Sequence, residues 1–225
     1  VDGVEASSEV VSELQSEGGL VLGYVSAGTI ERGRPWTKRL RKRFSIGYWP
    51  DWDEWFAAVR KARFRRYFLN KIAAPVLEKG FDGLFLDNVD MIAIRRRQTK
   101  GMIKLLEGTR ELLGERFLFI QNGDEIIPTI EAQVRFDGWN REDVTSTYDF
   151  DSKSYSLNGQ KQIQAALSFV AEMVSKGYLV TTADYVASSD SSEAVLSIEN
   201  SCSVGAVPFV GDIFLTQVTE AVPLC

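Results

Sequence analysis

At 225 residues, 44% hydrophobic and 25% charged, the chain can bury roughly 70% of the surface its unfolded form would expose, enough for one α/β-barrel-sized domain or two small ones. A formal net charge of −5 disfavours a general nucleic-acid binder, and no apolar run approaches the ~18 residues a membrane span requires. Histidine is absent, which excludes Ser-His-Asp and Cys-His catalysis and His-ligated zinc, so any proton transfer falls to Asp, Glu, Lys, Tyr or Cys.

The chain opens at Val1 with no secretory leader, as a processed protein would. Its compartment stays open, with a secreted or cell-surface setting favoured. Ser8 to Gln15 reads as a helix, with Val11 and Leu14 on one face and Gly18-Gly19 as its stop. Val1 to Val4 reads as the stub of an earlier strand. Leu20 to Ser26 is a buried strand. Phe64, Phe68, Ile72 and Val76 recur every four residues, as a helix packed on a sheet demands, and Pro75 must bend or thin that helix. Phe81 to Asn88 is the next strand, and Met102, Leu105, Leu106, Thr109 and Leu113 form the next helical face, closed by Gly114.

Arg116 to Gly123 is a strand ending in polar residues, and Val134 to Asp143 repeats the idea less cleanly. Ile163, Ala166, Leu167, Val170, Met173 and Val174 make the clearest amphipathic helix. Tyr178 to Asp184 is a strand. Asp190, with Glu193 three residues on, has the form of a capping box opening a helix to about Asn200. Ala206 to Asp212 is the last strand. Cys202 and Cys225 have no metal-site spacing, and the burial habit of free cysteine favours two thiols over a disulfide.

Strands alternating with helices imply βαβ units and a parallel sheet, whose strands, buried on both faces, read as continuous apolar runs. No phosphate-binding glycine loop announces a doubly wound sheet. A barrel instead collects polar residues at the carboxyl ends of several strands. Ser26, Asp87-Asn88, Gln121-Asn122, Asn140 to Asp143, Asp184 and Asp212 all follow apolar runs. The expectation is one domain over 1–225 of the α/β class, a (β/α)8 TIM-type barrel.

Two strand ends carry carboxylates with amides beside them. Side chains alternate along a strand, so Phe85 and Asp87 share a face, as do Gly138, Asn140 and Glu142. Paired carboxylates are what glycosidic cleavage needs: one protonates the leaving oxygen while the other acts as base or nucleophile. The plainer reading is that Asp87 and Glu142 cap the following helices or pair with Arg141.

Tyr24-Val25-Ser26-Ala27-Gly28-Thr29-Ile30-Glu31, followed by Arg34-Pro35, resembles the Y-x-S-A-G-x-x-E…R-P run of glycoside hydrolase family 114, barrel proteins linked to endo-α-1,4-polygalactosaminidase activity. Gly80-Phe81-Asp82-Gly83 with Asp87-Asn88-Val89-Asp90 is similar to that family's G-F-D-G-x-x-x-D-N-x-D segment. Gln121-Asn122, Phe136 to Glu142 and Gly177 to Tyr185 resemble its later strand ends in order. The resemblance covers about Gly18 to Asp212. It implies Asp87 and Glu142 as the catalytic pair and Tyr24, Ser26, Glu31, Asn88, Asp90, Asn122, Asp184 and Tyr185 as substrate-binding or supporting residues. It also implies a polysaccharide or oligosaccharide substrate, and neither cofactor nor metal. Three features depart from the family: Gln121 replaces Lys, the family's first strand has no counterpart, and Gly33 to Arg43 is unusually basic.

The arginine and lysine clusters from Lys38 to Arg43, Arg60 to Arg66 and Arg95 to Arg97 read as solvated faces, with an anion-binding patch as the sharper alternative. Trp49 suits a sugar platform or a core position equally, and Trp52 and Trp55 read as core. Three alternatives stand beside a hydrolase: a non-catalytic carbohydrate-binding barrel, a Mg²⁺- or Ca²⁺-assisted enzyme using Asp87, Asp90 and Glu142, and a nucleic-acid binder using the arginines.

Overall fold

A computed structural model describes residues 1–216 and 225. The chain forms two compact units, Val1–Asp137 and Gly138–Cys225. The first contains β1 (Leu22–Ser26), β2 (Thr29–Ile30), β3 (Ser45–Trp49), β4 (Glu54–Ala57), β5 (Gly83–Asp87) and β6 (Phe117–Gln121). The second contains β7 (Gly138–Glu142), β8 (Ser146–Asp149), β9 (Ser154–Leu157), β10 (Leu179–Tyr185) and β11 (Val207–Gly211).

In the first unit β5 runs parallel between β1 and β6, pairing Ser26 with Asp87 and Leu86 with Ile120. Val25, Leu84, Leu86, Leu118 and Ile120 are buried, as expected of strands covered on both faces. Glycine at position 83 is required by the strand spacing, since a Cβ there would lie 2.1 Å from the Phe117 carbonyl oxygen. The Ser8–Ser16 helix is capped by the Ser7 hydroxyl, which accepts from the Val10 amide. Val1 to Val4 lies parallel to β1 through a single bridge, Asp2 to Tyr24, with the Tyr24 amide donating to the Val1 carbonyl and the Gly3 amide to the Tyr24 carbonyl, as the stub of a strand would.

Phe64, Phe68, Ile72 and Val76 are all buried, although a strict spacing of four drifts around an α-helix of 3.6 residues per turn. The segment absorbs the drift by widening: Ala62–Phe68 is α-helical, Leu69–Ala73 is a π-helix, and Ala74–Leu77 returns to α just where Pro75 removes a donor.

The antiparallel sheet β2-β4-β3 was not foreseen from the sequence. It settles the tryptophans differently from expectation. Trp52, read as core, lies in the turn before β4 and is 43% exposed. Trp55 is half-buried and carries the guanidinium groups of Arg32 and Arg41 at 5.0 and 4.9 Å from its ring. Trp49 stacks on Phe56 with centroids 5.3 Å apart. Part of the arginine cluster therefore covers aromatic faces through cation–π contact as well as meeting solvent. The Thr37–Phe44 helix buries Leu40 and Phe44 and exposes Lys38, Arg39, Arg41, Lys42 and Arg43.

In the second unit β10 lies parallel between β7 and β11, and β8 and β9 form a hairpin. Trp139 is fully buried and meets Phe169 edge-on. The Gln160–Ser175 helix buries Ala166, Val170 and Met173 and leaves Ile163, Leu167 and Val174 half-buried. The last helix starts one residue later than the Asp190 pattern suggested: Ser191 is its cap, accepting from the Ala194 amide, and it runs Ser192–Ser203. Cys202 and Cys225, expected as separate thiols, form a disulfide. Among the described residues no helix is long and apolar enough to cross a membrane.

Candidate active site

Polar groups of the first unit gather where β1 and β5 end. Register places Tyr24 opposite Phe85 and Ser26 opposite Asp87, so the alternation of side chains puts all four on one face. The Tyr24 hydroxyl donates to Asp87 Oδ2 at 2.6 Å. Asn88 adopts a left-handed backbone, φ 58°, which asparagine tolerates better than most residues. That turn aims its own N–H at Asp87 Oδ1, 2.6 Å away, and its side-chain amide at Oδ2, 3.1 Å away. Both carboxylate oxygens therefore accept hydrogen bonds from the protein. Burial, followed by the charges of Asp87, Glu31 and Glu54, pushes the Tyr24 phenol far above its ordinary range and keeps it a donor.

Asn88 is 7% exposed, and its amide also reaches Ser26 Oγ (3.0 Å) and Thr29 Oγ1 (3.2 Å). Its backbone passes so close to Gly28 that a Cβ there would lie 1.8 Å from the Asn88 carbonyl oxygen. This is the physical content of the Ser26-Ala27-Gly28 run. Glu31 pairs with Arg34 at 2.7 Å, and Arg34 also holds Asp2 at 2.6 Å. Asp90 precedes the Met91–Ile94 helix and packs its Cβ near Gly123, beside Asn122. Asn122, immediately after β6, repeats the left-handed turn at φ 59°.

The second unit uses the same device. Glu142 ends β7, and the Tyr185 hydroxyl at the end of β10 donates to its Oε1. Register pairs Ala183 with Glu142, which places Tyr185 one step diagonally along the same face. Asp184 must then point to the opposite face. It is 1% exposed and accepts the backbone amides of Thr145 (2.7 Å) and Ser146 (2.8 Å), anchoring the start of β8. Its other oxygen is buried with no hydrogen bond among the described residues. Burial pushes the Asp184 acid up to about 7, against the two amides and helped by nearby Asp143. Asp143, at φ 56°, is raised to about 6, chiefly by burial.

Hydrogen bonds thus link Tyr24 to Asp87, Asp87 to Asn88 and Asn88 to Ser26, and Tyr185 to Glu142. Glu31 belongs to the Arg34 ion-pair group, and Asp184 to the anchor of the β8 hairpin. Sequence reasoning missed Thr29, whose hydroxyl lies 2.6 Å from Ser26 Oγ, and Glu54, which accepts from Thr29. Thr29 lay inside the quoted motif at a position free to vary. Glu54 lies between Trp52 and Trp55, in a stretch with no carboxylate motif of its own.

The sequence pattern of glycoside-hydrolase family GH114 matches residues 1–218. No curated protein matches the chain significantly. Among solved structures, it is similar to the glycoside hydrolase domain of PelA from Pseudomonas aeruginosa, at 20% identity over 96% of this chain and 87% of that one, with a TM-score of 0.81. Aspergillus fumigatus Ega3 in complex with galactosamine follows, at 18% identity over 100% and 86% of the two chains and a TM-score of 0.74. At these identities the likeness speaks for the fold, which is the expected (β/α) barrel class. Among the described residues there are six parallel strands, three in each unit, where a full TIM barrel has eight.

Proposed function

The chain belongs to glycoside-hydrolase family GH114, and we propose that it is an endo-acting glycosidase cleaving a galactosamine-containing polysaccharide, with Asp87 and Glu142 as its carboxylate pair. The observation that carries this reading is the repeated device: in each unit a strand-end acid is held by the hydroxyl of a tyrosine from the neighbouring strand, on the same face of the sheet. Hydrogen bonds donated to a carboxylate favour its charged form, and Asp87 receives them on both oxygens, which keeps it ionised, the state that a base or nucleophile requires. Glu142 then protonates the leaving oxygen. Tyr24, Ser26, Asn88 and Tyr185 set the two acids. Glu31, Asp90 and Asn122 contact the sugar, and Asp184 supports the site through the loop that it anchors. A single catalytic domain over 1–225 is part of the proposal.

Galactosamine enters because a structural relative holds it. Binding of nucleic acid is not part of this reading. Incubating the protein with an α-1,4-linked galactosamine polymer and following new reducing ends and product length tests it. Mid-chain cuts support the proposal. Binding without any cleavage over long incubation favours the second reading, a carbohydrate-binding barrel without catalysis, for which Gln121 in place of the family's Lys is the specific observation.

A further inference from the structure

We propose that Glu54 is a positioning residue for Asp87, coupled to it through the hydroxyls of Thr29 and Ser26 and the side-chain amide of Asn88. The inference rests on the reading of Asp87 as base or nucleophile. Pairing of β2 with β4 sets Thr29 opposite Phe56, which leaves the Thr29 hydroxyl within reach of Glu54 Oε2 at 2.5 Å. Thr29 Oγ1 and Ser26 Oγ are 2.6 Å apart, and the Asn88 amide nitrogen reaches both of them and Asp87 Oδ2. The chain of contacts from Glu54 to Asp87 is unbroken. Ser26, Thr29 and Asn88 are all less than a tenth exposed, so little water competes for their bonds.

The consequence follows from counting protons. Each hydroxyl has one hydrogen and two acceptor sites, and the Thr29 amide already occupies one site on Ser26. When Glu54 is ionised, the Thr29 hydrogen points to it, Ser26 donates back to Thr29, and two acceptor sites remain for the two hydrogens of the Asn88 amide. When Glu54 is protonated, it donates to Thr29 and Thr29 donates to Ser26. One acceptor site remains for the Asn88 amide, whose second hydrogen turns onto Asp87, and the Ser26 hydrogen, displaced from Thr29, is left without an acceptor among these groups. Protonated Glu54 therefore tightens the hold on Asp87 and weakens it as base or nucleophile. Ionised Glu54 releases it.

Both states are reached near neutral pH. Burial pushes the Glu54 acid up to about 7; Glu31 and Asp53 add to this, while the Thr29 hydrogen bond and the Arg34 charge oppose it. The other ionisable groups facing it are Tyr24, which stays protonated, and Asp87 beyond the relay. The rate should then rise with pH across this range.

The test is the pH profile of kcat/KM on a galactosamine oligomer for the wild type and for Glu54→Gln, Thr29→Val, Thr29→Ser and Asp87→Asn, with Tm measured in parallel. The wild type is expected to show an ascending limb with its midpoint at about 7. Glu54→Gln, which cannot ionise, should lose that limb, a change of about tenfold in rate across it, what one hydrogen bond to a charged group is worth. Thr29→Val should lose the limb with Glu54 still present, and Thr29→Ser should keep it. A wild-type limb in Glu54→Gln or in Thr29→Val overturns the inference. Should Glu54→Gln not fold, Thr29→Val decides alone. Full activity in Asp87→Asn overturns instead the assignment on which the inference rests, and is distinguishable from a failure of the relay.

Discussion

Gly28→Ala adds a single carbon at a place where the chain has no room for it. The new Cβ would stand 1.8 Å from the Asn88 carbonyl oxygen and 2.7 Å from Met91 Cγ. The closest ordinary approach of carbon to a carbonyl oxygen is about 3.3 Å, so roughly 1.5 Å of relief is needed. Met91 can yield by rotation, but Asn88 is backbone, tied to the end of β5 by the bond from the Ala27 amide to the Asp87 carbonyl. The relief must come from displacing the Asn88 turn, whose N–H and amide both hold Asp87. Overpacking of this kind costs about 1–3 kcal/mol, a fall of several degrees in Tm for a chain of this size. A displacement of 1 Å at a catalytic group costs on the order of a hundredfold in rate. Calorimetry and turnover on a galactosamine oligomer read the two separately. An alanine variant of wild-type Tm and wild-type kcat would refute the reasoning, because it would mean that the contact of Gly28 with Asn88 is not a constraint.

Burial weakens Asp184 and Asp143 as acids, pushing them up to about 7 and about 6, so the folded chain holds their protons more tightly than the unfolded one. Their stabilisation is complete below pH ~4 and is lost as pH rises through about 7, so Tm should fall over that window; Asp184→Asn should flatten the curve, and parallel curves would reject the assignment. The Cys202–Cys225 disulfide spans 23 residues, and its loss in Cys202→Ser should lower the unfolding free energy by about 3 kcal/mol, read from denaturant midpoints. Because both oxygens of Asp87 already accept hydrogen bonds from protein donors, exhaustive dialysis against EDTA should leave the hydrolytic rate unchanged; a loss restored by Mg²⁺ or Ca²⁺ would favour the metal-assisted alternative.

The parallel strands were legible because burial on both faces writes itself as short apolar runs ending in polar residues, as in Leu84-Phe85-Leu86-Asp87. Tyr24 and Ser26 entered as binding residues through the resemblance alone; that Tyr24 meets Asp87 depends on the pairing of β1 with β5, which joins segments some sixty positions apart. Three things were hidden. The antiparallel sheet from Thr29 to Ala57 has strands of two to five residues, and β3 alternates half-buried with exposed residues, so no apolar period marks it. Tryptophan is large enough to read as core by composition, while the backbone at Asp53, φ 54°, turns the stretch so that Trp52 meets solvent. Asp184 and Tyr185, carried over together from one motif, cannot act on one face, since consecutive strand residues point apart. Glu54 escaped because its importance lies in a contact with Thr29, 25 positions away, that no local pattern encodes.

The division of labour between the two acids is tested most directly by changing the leaving group. On an unactivated galactosamine oligomer, Glu142→Gln and Asp87→Asn should each lose at least about a hundredfold in kcat, the usual scale of a general acid or base. On an aryl galactosaminide, whose phenolate departs without protonation, Glu142→Gln should recover most of the wild-type rate of bond cleavage while Asp87→Asn stays inactive. Equal recovery by both variants, or undiminished turnover of the oligomer by either one, would contradict the account.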